Sequence, residues 1–187
     1  DIWQILLIRS LFFMIALTAF LFLTYKKNTI NIIKKSGFPA IVAGLFLSLS
    51  FVAYVVAMSK TTVANVVFII STQTIFLALF GFLFLKEKIT FKGLIAITLA
   101  FVGMLVMVGD SINQGTLFGN IVAFAIPINF TILVMIIRKF PDLDMVPAIF
   151  YSGIFSGIYG LVLASNLTFS SNDILMGFLL GVPQLAF

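Results

Sequence analysis

The chain has 187 residues, 62% of them hydrophobic and 9% charged, with a formal net charge of +5. A soluble domain carries roughly 25% charged residues, so these few would not cover a globule in water, and the composition predicts an integral membrane protein. There is no Cys and no His, which excludes disulfides, thiol chemistry and His-based metal sites. The positive charge sits in breaks between apolar runs, not on a face suited to nucleic acid.

A helix needs about 20 apolar residues to cross the hydrocarbon core, where it satisfies its own backbone. Six runs approach that length and a seventh begins: 2–25, 38–58, 63–85, 91–108, 117–137, 146–164 and 174 onward. The breaks carry turn chemistry, with SGFP at 36–39, SKTT at 59–62, GDSINQG at 109–115, KFPDLD at 139–144 and SNLTFSSND at 165–173. The short alternating strands of a β-barrel are missing. The first run is too long for a signal-peptide core and has no small-residue cleavage site. With Asp1 at one end and Phe187 inside an apolar run at the other, the reading expects a piece of a longer membrane protein.

Successive breaks alternate sides of the bilayer. Those after the first, third and fifth runs hold Lys26, Lys27, Lys34, Lys35, Lys86, Lys88, Lys92, Arg138 and Lys139, whereas those after the second, fourth and sixth hold only Lys60. The positive-inside rule places the first set, segments 26–37, 86–92 and 138–145, in the cytoplasm.

Polar residues inside the runs are the candidate functional groups. Arg9 lies roughly 10 Å into the first run at 1.5 Å per residue. It either snorkels to the interface beside Trp3 or supplies a cavity cation for an anionic substrate group. In the second run Ala40, Gly44 and Ser48 are spaced for close helix packing, and Ser50 and Tyr54 share another face. The third run is the most polar: Thr61, Thr62, Asn65, Thr72 and Gln73 fall within an arc of about 120°. That stripe serves either helix-to-helix hydrogen bonding or a substrate path. In the fifth run Pro127 frees the carbonyl of Ala123 and should bend the helix; Asn120, Pro127 and Thr131 share its face, with Asn129 opposite. Gly153 and Gly157 give the sixth run a packing face, one that would also suit a homodimer. Asp110, Asp142, Asp144 and Asp173 all lie in breaks and Glu87 at a helix end, so the runs contain no proton relay, metal cluster or hydrolytic set.

The stretch TVANVVFIISTQTIFLALFGFLFLKEKITFKGLIAITLAFVGMLVMVG resembles the end of a repeat in the EamA family of the drug/metabolite transporter superfamily. Thr62, Ala64, Glu87, Gly93 and Gly103 occupy the positions of that pattern. LLIRSLFF resembles the second helix of the repeat, with Arg9 at its usual Arg, and GNIVAFAIPINFTILVMIIRK resembles the opening helix of a second repeat. One departure is plain: the family commonly has Pro about thirteen residues before the Glu, and Thr74 stands there, preceded by Gln73. The resemblance implies an all-α integral membrane protein with the ten-helix inverted-repeat (5+5) transporter fold. Of that fold about helices two to eight are present: 1–109 as a first repeat lacking its first helix and 116–187 as a second, truncated one.

The expected function is therefore a multi-pass inner (plasma) membrane transporter of small metabolites, an exporter working by alternating access. It would take an amino acid, a nucleobase or a similar solute, with the lipid bilayer as partner, no nucleic acid, no cofactor and no enzymatic activity. Arg9, Tyr54, Asn65, Thr72, Gln73, Asn120 and Asn129 are the candidate cavity contacts. A structural or assembly subunit whose polar stripes only join helices is the alternative. An enzyme acting on lipid-linked substrates would need acids or His in helices beyond this chain.

Overall fold

The computed structural model describes residues 2–113, 116–165 and 169–182, with the side chains of residues 27, 104–105, 107–113 and 171 outside the description. All regular structure among the described residues is helical: α1 Ile2–Tyr25, a 3-10 turn at Lys26–Asn28, α2 Thr29–Lys60, α3 Val63–Ser71, α4 Gln73–Leu85, α5 Phe91–Asn113, α6 Leu117–Lys139, α7 Val146–Leu163 and α8 Ser171–Gly181. Five stretches are long and apolar enough to cross a membrane: α1, α2, Val63–Leu85, α6 and α7. The remaining two predicted runs are helical as well. Their described apolar parts, Phe91–Gly103 and Asn172–Gly181, are shorter.

The chain clusters into two units, Asp1–Val52 with Ile136–Phe187, and Ala53–Met135. In the first, α1 is the helix around which the others gather. Lipid tails are as apolar as Leu, so helices associate in a membrane through close packing, which small residues permit. A Cβ on Gly160 of α7 would lie 2.8 Å from the Leu7 amide nitrogen, and one on Gly153 would lie 2.8 Å from Met14 Cγ. The face with Gly153 and Gly157 is thus taken up by α1 of the same chain. Gly44 in α2 meets α7, where an added Cβ would stand 2.6 Å from the Ala148 carbonyl oxygen, and Ala40 and Ser48 on the same face are fully buried. α8 rests on α1 through Gly177 and Gly181, whose added Cβ atoms would strike Ile8 and the Arg9 carbonyl. Phe12 meets Phe178 edge-on beside them, 5.6 Å between centroids. The Ser10 hydroxyl donates to Ser156 Oγ at 3.0 Å, bridging α1 and α7 in the buried layer.

Segment 26–37, a break by its turn residues, is mostly helical. Residues 29–36 form a short helix that Gly37, at φ 54° and ψ −150°, separates from the span beginning at 38. Only glycine reaches that left-handed conformation without strain. The Thr29 hydroxyl donates to the carbonyls of Lys26 and Leu21, which fastens this helix to the end of α1. At the same end the Tyr25 hydroxyl donates to Asp144 Oδ2 at 2.6 Å, while Asp144 Oδ1 accepts the Val146 amide at the start of α7.

In the second unit Ala53, Ala57, Val66, Ile69, Ala123 and Ile126 form an apolar core. α6 runs without interruption from Leu117 to Lys139 with Pro127 inside it. An interruption lies between α3 and α4, at Thr72. Its amide and its hydroxyl both donate to the Ile69 carbonyl, at 3.1 and 2.6 Å, a 3-10 closure inside an otherwise continuous apolar stretch. α4 ends on Lys86 in the left-handed region, with the Glu87 amide donating back to the Gly81 carbonyl at 3.1 Å. The next helix begins under a cap in which Thr90 Oγ1 accepts the Gly93 amide at 3.2 Å. A Cβ on Gly93 would stand 3.3 Å from that same oxygen and 3.2 Å from Ile89 Cγ2, both side-chain atoms.

Candidate functional site

Two groups of polar side chains lie among the spans, one in each unit. The first is Arg9, half-buried on α1, with its guanidinium carbon 4.6 Å from the centroid of the Phe51 ring. A cation over an aromatic face contributes about 0.5–1 kcal/mol where exposed and more as it is desolvated. It keeps the planar guanidinium edge oriented, a geometry that suits carboxylate or phosphate groups.

The second group is built where three helix ends meet. The α2–α3 turn places Thr61 and Thr62; Thr62 Oγ1 caps α3 by accepting the Asn65 amide at 3.2 Å. That cap points the Asn65 side chain one turn on, toward α6. Asn120 lies in the first turn of α6, next to Gly119, and a Cβ at Gly119 would sit 2.5 Å from the Lys60 carbonyl carbon. The absence of that atom lets α6 approach the turn. The Thr61 hydroxyl donates to Asn120 Oδ1 at 2.6 Å, and Asn65 Nδ2 donates to Thr61 Oγ1 at 3.1 Å and to Asn120 Oδ1 at 3.3 Å. Asn120 is fully buried, and its Nδ2 has no hydrogen-bond partner. The cluster therefore retains one buried N–H₂ group, that of Asn120, without a hydrogen-bond partner. Further along the same face of α6, fully buried Thr131 also has a hydroxyl with no partner. An unmade hydrogen bond of this kind costs about 1–3 kcal/mol, which a bound oxygen would recover.

The structure thus joins Asn65 to Asn120, with Thr61 between them, and sets Arg9 on Phe51. The other candidates are not joined to either group by any described hydrogen bond. Thr72 is buried, but its hydroxyl is used by the Ile69 carbonyl. Gln73, half-buried, opens α4, and Asn129, half-buried, lies on the less buried side of α6. Tyr54 is 37% exposed on α2. Thr61 is the residue the sequence reading names only as part of a stripe, and it is the hinge of the network. Its position immediately before the helix cap Thr62 is the available signal. Among the described residues no group of three or more acids could hold a metal ion.

Five helices long and apolar enough to cross a membrane, with hydrogen-bonding groups set inside them, define a multi-pass integral membrane protein. A model of the EamA-like transporter family matches residues 1–109, and the chain belongs to that family. Membership brings the drug/metabolite transporter superfamily, a membrane setting and small-molecule substrates, since the family's members are transporters and not enzymes. No curated protein and no solved structure matches the chain.

Proposed function

We propose that the chain is the substrate-handling part of an inner-membrane carrier that exports a small metabolite by alternating access. Its frame would be two inverted repeats of five helices, with 1–109 from the first and 116–187 from the second. The basic segments 26–37, 86–92 and 138–145 would face the cytoplasm. The observation that carries this reading is Asn120: a fully buried amide whose oxygen is held by Thr61 and Asn65 and whose N–H₂ has no protein partner. Such a donor suits a carbonyl or carboxylate oxygen of an amino acid, nucleobase or similar solute. Arg9, stacked on Phe51, would take an anionic group, and Tyr54, Thr72, Gln73 and Asn129 would complete the route.

The test is efflux from proteoliposomes containing the full-length protein and loaded with labelled amino acids, nucleobases or cationic dyes. Efflux of at least one class is expected, falling at least tenfold in Asn120→Ala while the helical signal is retained. Absence of flux for every class, or flux unchanged in both Asn120→Ala and Arg9→Gln, would overturn the proposal. A structural subunit is the second reading, favoured by the Asn65 side chain, which ties the α2–α3 turn to α6 by donating to Thr61 Oγ1 and Asn120 Oδ1. On that reading Asn65→Ala and Gln73→Ala lower stability and leave every flux unchanged.

A further inference from the structure

Residues 26–36 hold four Lys and no acid. Thr29 and Ser36, two turns apart on the short helix, are buried at 4% and 1%, so the helix lies with that face against its own unit. The opposite side presents Asn31, Lys34 and Lys35 to the surroundings, and Lys26 is exposed at the turn before it. Beside these cations stand two large apolar side chains with nothing covering them: Ile30 is 60% exposed and Phe38, just past the Gly37 bend, is 74% exposed. The Tyr25–Asp144 hydrogen bond brings segment 140–144 to this same end, and Arg138 and Lys139, exposed at the close of α6, add to the basic belt.

Cations alone would suit any polyanion. Cations interleaved with exposed Ile and Phe, at the point where a span leaves the bilayer, suit one surface in particular. Apolar side chains enter the acyl region while lysine stems reach back to the phosphate level. A run of Lys immediately beside a membrane span attracts anionic headgroups, an interaction confined to about a Debye length. Gly37 makes the placement possible, because its left-handed torsions turn the helix out of line with the span. We infer that helix 29–36 and the turn before it form a binding surface for anionic phospholipid, with Lys26, Lys34 and Lys35 holding the headgroup phosphate and Ile30 and Phe38 seated among the acyl chains. This surface does not depend on transport.

The test places a reporter on the surface. Trp3, the only Trp in the chain, is replaced by Phe, and Ile30→Trp is introduced. The protein is reconstituted in phosphatidylcholine vesicles carrying brominated phosphatidylglycerol or, in parallel, brominated phosphatidylcholine as the minor component. Quenching by the anionic lipid should exceed that by the neutral lipid roughly threefold or more, and the difference should disappear in high salt. The combined Lys26→Gln, Lys34→Gln and Lys35→Gln variant should bring the two lipids to parity, whereas Lys34→Arg with Lys35→Arg, and Lys60→Gln, should keep the preference. Circular dichroism of each variant confirms that it is folded. Parity in the parent, a preference that survives the three Gln substitutions or high salt, or one that Lys60→Gln removes would overturn the inference. So would displacement by inorganic phosphate, which would mark a site for a soluble anion.

Discussion

Replacing Gly119 by Ala tests whether close approach of α6 to the α2–α3 turn builds the asparagine cluster. The added Cβ would lie 2.5 Å from the Lys60 carbonyl carbon, 2.7 Å from its oxygen and 2.7 Å from Thr61 Cβ, where ordinary contact begins at 3.4 Å. Two of the three obstacles are backbone and do not rotate away, so the helix must retreat by about 0.9 Å, the difference between 3.4 and 2.5 Å. Over-packing of this kind costs about 1–3 kcal/mol. A retreat of that size also stretches the 2.6 Å bond from Thr61 to Asn120 beyond useful length; interhelical hydrogen bonds in membranes contribute about 0.6 kcal/mol, up to about 1.7. The over-packing alone corresponds to a fall in Tm of about 2–12 °C on the scale of 2–4 °C per kcal/mol for chains of this size, read by thermal melting in detergent, and the lost bond adds to it. Gly103→Ala is the matched control. Its Cβ would stand 3.8 Å from the Phe68 ring, so the same change should be neutral or raise stability by up to about 1 kcal/mol through helix propensity. If Gly119→Ala melts at or above the parent, or if both variants shift equally, the close-approach argument is wrong.

Gly157 and Gly160 make a similar pair on α7: Ala at 160 meets the Leu7 backbone at 2.8 Å and should cost 1–3 kcal/mol, by estimate about as much as other over-packing, whereas Ala at 157 meets Ser10 Cβ at 3.9 Å and should melt like the parent. A double-mutant cycle of Asn65→Ala and Asn120→Ala, followed by chemical denaturation in detergent, should give a coupling of about 0.6 to 1.7 kcal/mol; additivity would show that the 3.3 Å contact contributes nothing. Tyr25→Phe removes one exposed hydrogen bond and should cost about 1 kcal/mol or less. Asp144→Ala removes that bond together with the one that caps α7, so it should lower Tm further; equal losses would refute the dual role.

The spans are legible because hydropathy alone decides what enters lipid, and their packing faces are legible where small residues recur at four-residue spacing, as at Gly44 and Gly153. The same spacing at Gly177 and Gly181 passes unread, because the run from 174 gives too little context to separate a packing face from chance. Helix 29–36 is hidden for another reason: SGFP and flanking lysines read as a turn, and only the torsions show that the turn is a single residue, Gly37. The polar stripe on α3 is visible as a period. Its partner is not, since nothing in one sequence ties Asn65 to Asn120 across 55 residues. Thr72 is visible as polar, but its hydroxyl turning back to Ile69 depends on a local interruption that Pro, the usual signal for one, does not mark here.

That interruption has a consequence for how the chain is made as well as how it works. Partitioning into a bilayer responds to summed side-chain transfer free energy and to whether backbone groups arrive already paired. Val63–Leu85 is one apolar stretch of 23 residues, and at the break the Ile69 carbonyl accepts the Thr72 amide and the Thr72 hydroxyl together. To the insertion machinery it is therefore a single segment, entering in one step. Once inserted it is two helices, α3 and α4, meeting at Thr72, where the Ile69 carbonyl is held by both the amide and the hydroxyl of that residue.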